Sequence, residues 1–446
     1  APAKASKLIS NVISWAGQKL YLLSPDYNAG GICDFERLKS LYDKVHQNIL
    51  SKNISFATVT DEGGAACAVV KSCLGNKIGF KFSGSLSDRE LFAPLIGSLI
   101  ICAKDISPFD GFNCTYLGES MEEPIFEING EKIPMKEAVR AFCSTLESVF
   151  PSKTRWEGVA KNARFEVRER AKCKMSFGSP RVFIPIFPGT NCEYDMAKRF
   201  EEESAIVNSL VIRNSSPREI EESVRQMAKL IRESQIIALP GGFSGGDEPD
   251  GSGKFIAVTL SNPLIAESIH ELLHGRDGLA IGICNGFQAL IKTGLVPYGR
   301  IVGQREGSPT LTFNDISRHV SSLVKIRVAS NKSPWLYGVK PGESYFVAVS
   351  HGEGRFVCSP AEYARLEENG QIATQYAGPD GNATMESPFN PNGSYMAVEG
   401  ITSPCGRVLG KMGHSERIGR HLYKNFGAGP EQFDMKIFRS GVEYFK

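Results

Sequence analysis

The stretch Gly278-Leu279-Ala280-Ile281-Gly282-Ile283-Cys284-Asn285-Gly286-Phe287-Gln288-Ala289-Leu290 sets one cysteine between two different runs. An apolar run ends near Gly282, and a helix-compatible run starts after Gly286. A strand–turn–helix passage with small neighbours is the setting in which a nucleophile is held at a tight elbow. A thiol there would face backbone N–H groups and the positive end of a helix, surroundings in which reactive thiolates form. Cys284 also reads as a buried core thiol, because free cysteine is among the most buried residue types. Chemistry at this position needs a base, a group that orients the base, and N–H donors for an oxyanion.

Seven histidines could supply the base. His46, His270, His274, His319 and His421 read as surface or capping residues. The other two carry a carboxylate two positions later, in His351-Gly352-Glu353 and His414-Ser415-Glu416. In an extended segment such side chains point the same way, so the glutamate can reach back to the imidazole. His414 is the expected base, since its pair follows the strand-like Gly406–Met412 and precedes a polar helical segment. His351 lies inside the strand-like Tyr345–Val357, whose Gly352 and Gly354 suggest close approach of a chain or ligand, and it is expected in a substrate wall.

Two loops could complete the site. The glycines of Pro240–Asp247 allow backbone N–H groups to face a ligand, and the following Asp247–Gly253 suits either a lid or a solvated loop. Cys192 is the rival nucleophile, also placed at a helix start after a strand. The neighbouring Glu193 and Asp195 argue against a thiolate there.

Several elements must position these groups. Arg181–Phe187, Ala205–Val211, Gln235–Leu239 and Gly278–Ile283 read as strands, alternating with helices up to about Glu203, at Pro217–Glu233 and at Pro263–His274. That alternation predicts an α/β fold with a doubly wound, mostly parallel sheet covered on both faces. Reactive groups then gather at the carboxyl ends of the strands, where Pro188–Cys192, Pro240–Asp247 and the Cys284 turn all fall. Residues 1–150 read as a smaller α/β domain, with a helix over Phe35–Leu50, a strand over Ile54–Val59 and an alanine-rich helix over Ala65–Leu74. Residues 151–177 are rich in Lys and Arg without an apolar stripe, and are expected to form a solvated linker to a domain at 178–446.

Composition narrows the function. The chain has 446 residues, 41% hydrophobic and 22% charged, with a net charge of +2. That balance gives no reason to expect nucleic acid or an anionic membrane as partner. No apolar run is long enough to span a bilayer, and the N-terminus lacks the apolar core of a signal peptide. The eleven cysteines are scattered, odd in number and never in a CxxC pair. Reduced cytoplasmic thiols are expected, with no metal site.

Taken together, Gly282–Gln288, the Pro-Gly-Gly loop and the downstream His-x-Glu pair resemble the class I (triad) glutamine amidotransferases, of flavodoxin-like fold. Pro188–Cys192, Gly241–Asp247, Ser350–Arg355 and Asn390-Pro391-Asn392-Gly393-Ser394 resemble the glutaminase domains of the phosphoribosylformylglycinamidine synthase family, over residues 181–446. Gly63-Gly64 and Leu91–Ile100 resemble the last subdomain of the synthase part, of the aminoimidazole-ribonucleotide-synthetase C-terminal type. The His-Asp pair that many relatives carry ahead of that Gly-Gly is absent, so nucleotide binding is not assigned to the first domain. The chain is therefore expected to be the C-terminal portion of a longer synthase, a ligase of de novo purine synthesis.

The resemblance implies that Cys284 attacks the glutamine amide, His414 shuttles the proton and Glu416 orients His414. Gly242 and Asn285 would form the oxyanion hole, and Gln288, Ser350 and His351 would shape the glutamine site. The ammonia would pass to the remaining synthase domains for ATP-dependent conversion of formylglycinamide ribonucleotide to formylglycinamidine ribonucleotide. ATP and Mg belong to the complete synthase, and no cofactor is expected in this chain. Many relatives have proline on both sides of the histidine, where this chain has Gly413 and Ser415. Two other readings stay open: a stand-alone cysteine hydrolase on the same scaffold, and a non-catalytic regulatory or assembly module.

Overall fold

A computed structural model describes the chain except for residues 1–3, 5–6, 29–31, 150, 152–153, 155–159, 168, 248–252 and 420–421. Most of the segment considered as a lid, and His421, lie outside the described residues. The chain divides into two compact units, 1–149 and 150–446. Among the described residues no helix is long and apolar enough to cross a membrane.

In the first unit the strands are β1 (Lys19–Ser24), β2 (Ile54–Val59), β3 (Gly79–Phe82), β4 (Leu99–Ala103), β5 (Asn113–Met121), β6 (Ile125–Ile128) and β7 (Glu131–Pro134). They form one sheet in the order β2-β4-β1-β5-β3-β6-β7. Alternating side chains feed two cores, as the period of two dictates. Leu20, Leu22 and Ile100 join Phe56, Val69 and Phe80, while Leu23, Ile54 and Ile101 join Leu41 and Val45. Leu41 and Val45 lie on the helix Phe35–Leu50, which Asp34 caps by accepting the Arg37 N–H at 3.0 Å. Gly64–Leu74 forms the second expected helix.

The second unit contains β8 (Arg181–Ile186), β9 (Ile206–Val211), β10 (Ile236–Leu239), β11 (Leu279–Ile283), β12 (Thr310–Phe313), β13 (Val320–Val328), β14 (Ser344–His351), β15 (Glu353–Val357), β16 (Ile372–Ala377), β17 (Val398–Thr402) and β18 (Val408–Lys411). Nine of them form a sheet in the order β14-β13-β16-β17-β18-β11-β10-β8-β9. The run from β18 to β9 is parallel, as the strand–helix alternation predicts. From β17 to β14 the pairing turns antiparallel, an extension that the alternation does not foreshadow. Strands β10, β11 and β18 are buried along their whole lengths, so both faces of the parallel part are covered.

Three expectations need correction. The segment 151–177 is not a solvated linker throughout: Ala160 and Ala163 are core residues. The Phe165 N–H donates to Ala329 O at 2.9 Å and the Ala163 N–H to Gln375 Oε1 at 2.9 Å. Its described Lys, Arg and Glu side chains are exposed, while Ala163 and Phe165 are tied to residues far along the chain. The extended run Tyr345–Val357 is two strands, β14 in the main sheet and β15 paired with β12, separated at Gly352. Among the described residues, the stretch after Glu416 forms turns and a short 3-10 segment at Lys424–Phe426, not a helix.

Candidate active site

Cys284 follows the last residue of β11 and precedes the helix Asn285–Thr293. Its backbone has φ 53° and ψ −107°, a conformation L-residues rarely hold and which costs on the order of 1–3 kcal/mol. Neighbouring contacts impose it. The Cys284 N–H donates to Lys411 O at 2.9 Å, while its carbonyl accepts the Gln288 N–H at 3.0 Å. The turn also needs Gly286, since a Cβ there would stand 2.1 Å from Leu239 O. The result is an elbow that presents a thiol only 5% exposed, with Sγ 3.7 Å from Ser350 O.

His414 enters from the end of β18, and its N–H donates to Ala348 O at 2.8 Å. His414 and Glu416 are each 1% exposed. Nδ1 and Glu416 Oε1 are 2.6 Å apart, the charge-assisted contact that orients a base. Nε2 is buried without a hydrogen-bond partner among the described residues. Burial alone would lower the His414 pKa, but the carboxylate of Glu416, the charge of Cys284 and the nearby Cys192 sulfur outweigh it and raise it well above the ordinary value. An imidazole favoured in its protonated form beside the elbow can donate a proton to a leaving amine and recover it from water.

Gly241 marks where the parts converge. A Cβ built there would lie 2.8 Å from His414 Cε1, 3.1 Å from Cys192 Sγ and 3.4 Å from Cys284 Cβ. The loop after β10 therefore runs between the two cysteines and the base. Gly242 forms a bridge with Thr190, and the Asn285 carboxamide oxygen accepts the Ser244 N–H at 3.2 Å. All three loops expected at the carboxyl edge of the sheet meet here.

Cys192 belongs to this centre, beyond what its local sequence suggests. It is fully buried, with Sγ 3.9 Å from His414 Nδ1 and 3.1 Å from Asn191 Oδ1. Arg417 Nη2 donates to the same sulfur at 2.9 Å. Glu193 and Asp195 are thus not the nearest charges that matter; a guanidinium 225 residues away is. Only its place beside Glu416 hinted at Arg417. Cys192, His414 and Glu416 have donor atoms within 4.8 Å of one another. A soft divalent cation would have to displace the Glu416 hydrogen bond at Nδ1 and stand beside Arg417, so the trio is read as a hydrogen-bonded charge cluster.

The expected glutamine contacts divide. His351 is buried, with Nδ1 3.1 Å from Asn314 Oδ1. Asn314 spends its amide nitrogen on the carbonyls of His351 and Arg318, so its oxygen accepts from Nδ1–H and Nε2 carries the lone pair. Burial, with the charges of His414 and His319, pushes the His351 pKa down to about 3. Ser350 contributes its backbone to the Cys284 side, while its hydroxyl meets His319 Nε2 at 3.0 Å. Gln288 accepts from Asn285 Nδ2 at 2.9 Å and donates to Glu353 O at 2.6 Å. Its amide braces the helix start against β15.

Residues 179–445 match the family described as the CobB/CobQ-like glutamine amidotransferase domain. The phosphoribosylformylglycinamidine synthase subunit PurQ of Methanococcus maripaludis (strain C7) is 31% identical over 286 residues, spanning 60% of this chain and 97% of that protein. The same subunit of Gloeobacter violaceus is 33% identical over 254 residues, spanning 55% and 96%. A chain in the structure of PurLQS from Thermotoga maritima aligns with a TM-score of 0.43 and 25% identity, covering 60% of this chain and 100% of that one. With a match over more than half its length, this chain belongs to the CobB/CobQ-like glutamine amidotransferase domain family.

Proposed function

We propose that the chain hydrolyses the side-chain amide of L-glutamine and supplies the ammonia for synthesis of formylglycinamidine ribonucleotide in purine biosynthesis. The observation that carries this reading is the buried His414–Glu416 pair converging with the strained Cys284 elbow around Gly241. In the first step His414 takes the Cys284 thiol proton, the sulfur bonds to the amide carbon, and negative charge moves onto the amide oxygen. The N–H groups of Gly242 and Asn285 face that oxygen in this reading. His414 then gives its proton to the amide nitrogen, the C–N bond breaks, and ammonia leaves a thioester on Cys284. Water attacks the thioester with His414 as base, releasing glutamate and the free thiol.

His351, Ser350 and Gln288 form the wall on the β14–β15 side. Ammonia passes to synthase domains that bring ATP and Mg to the formylglycinamide ribonucleotide, and residues 1–149 are one subdomain of that partner part. The eleven thiols are all free, which suits a cytoplasmic enzyme. Labelling the full chain with a glutamine-analogue affinity reagent tests the assignment. Modification at Cys284 supports it; modification at Cys192, or of no residue, overturns it.

A further inference from the structure

Lys411 bonds to the backbone of Cys284 and of Gly413, the residue before His414. It ends β18, in register with Ile283 of β11 on one side and Gly400 of β17 on the other. Its backbone carbonyl accepts the Cys284 N–H at 2.9 Å. Its ammonium, completely buried, donates to Gly413 O at 2.8 Å and lies 3.0 Å from Glu399 Oε1. That same carboxylate oxygen accepts the Gly413 N–H at 2.5 Å, and Thr374 Oγ1 donates to the other one. Both peptide groups of Gly413 are therefore held by a single buried ion pair, and the next residue is His414.

Stability is a weak reason for such a pair. Removing two charges from water costs several kcal/mol each, and well-packed apolar residues of similar volume usually do as well or better. A geometric task accounts for it. Gly413 has no side chain with which to pack, and a Cβ there would lie 2.7 Å from both Val347 methyl carbons and 2.8 Å from Glu399 Oε1. Left alone, its peptide planes could rotate and swing the base. Fixed by Glu399 and Lys411, they refer His414 to the strand that also anchors the nucleophile's N–H.

We propose that Lys411 and Glu399 are positioning residues, a buried clamp that sets His414 against Cys284. The proposal rests on the glutaminase reading for its rate effect, but not for its effect on the state of His414. The test uses the full chain and the paired variant Lys411→Met with Glu399→Gln, which removes both charges and keeps an acceptor for the Gly413 N–H. Glutamine hydrolysis is expected to lose about 10²-fold in kcat, the size of a misplacement of about 1 Å, with little change in KM. By NMR, the His414 imidazole is expected to titrate about one pH unit lower than in the parent, because its neighbours no longer hold it in place.

A folded paired variant that keeps both kcat and the His414 titration of the parent would overturn the proposal. If the parent itself does not hydrolyse glutamine, the glutaminase reading fails, and the His414 titration alone decides the clamp. If the paired variant does not fold, Lys411→Leu with Glu399→Gln, which again removes both charges together, replaces it and is judged by the same two readouts.

Discussion

Cys192 places its sulfur 3.9 Å from Nδ1 of His414, the ring nitrogen that Glu416 Oε1 also meets at 2.6 Å. The two cysteines of the centre thus serve it differently: Cys284 stands on the elbow, and Cys192 stands behind the base with Arg417. Replacing Cys284 with Ala is expected to reduce glutamine hydrolysis by more than about 10³-fold. Cys192→Ala removes one charge-assisted contact and is expected to cost about tenfold. Steady-state assays of the two variants, side by side, check the assignment; equal losses would contradict the division of roles.

Glu416→Gln keeps the shape of the orienting group and removes its charge. The His414 pKa should fall, and kcat should drop by about 10²–10⁴-fold, as when a triad carboxylate is neutralised. A pH–rate profile reads both effects. An unchanged basic limb would show that the carboxylate does not hold the imidazolium.

The two buried histidines should titrate in opposite directions. His414, facing Glu416, Cys284, Cys192, Arg417 and His351, stays protonated above its ordinary range. It therefore contributes stability that is full below about pH 6.5 and is lost as pH rises through its folded value. His351, pushed down to about 3, stays neutral at neutral pH. Below about pH 6.5 the unfolded chain takes up a proton there that the folded chain refuses, so stability falls with pH down to its folded value. His351→Asn should therefore flatten the acid-side loss seen in denaturant melts, while NMR should find no His351 titration between about pH 5 and 8.

Gly241→Ala and Gly286→Ala should fail for different reasons. The added methyl at position 286 meets backbone, Leu239 O at 2.1 Å, and is expected to cost about 1–3 kcal/mol or more of stability. At position 241 it meets the His414 ring and Cys192 Sγ. Thermal stability should change less there, and activity should fall by about 10²-fold through misplacement of the base. Melting curves and kcat measured together separate the two cases.

What the sequence disclosed follows from where the determining contacts lie. The elbow at Cys284 was legible because a buried strand, small residues and a helix start adjoin along the chain. His414 and Glu416 were legible because they are two residues apart, and the expected helices Phe35–Leu50 and Pro217–Glu233 appear with those bounds. Arg417 against Cys192 was not, since the contact spans 225 residues. Strand β17, Val398–Thr402, hides a buried glutamate whose partner is twelve positions on. Nothing local to Ala160 or Ala163 announces that their neighbours' charges will face outward from a docked strap.

The Gly413 N–H donated to Glu399 carries a rule for inheritance. Proline has no such hydrogen, so a chain with proline ahead of its base leaves a carboxylate at the position of Glu399 one donor short, and the buried ion pair with the lysine opposite it becomes costlier to keep. Glycine, glutamate and lysine at 413, 399 and 411 should therefore travel as one trait among relatives, gained or lost together.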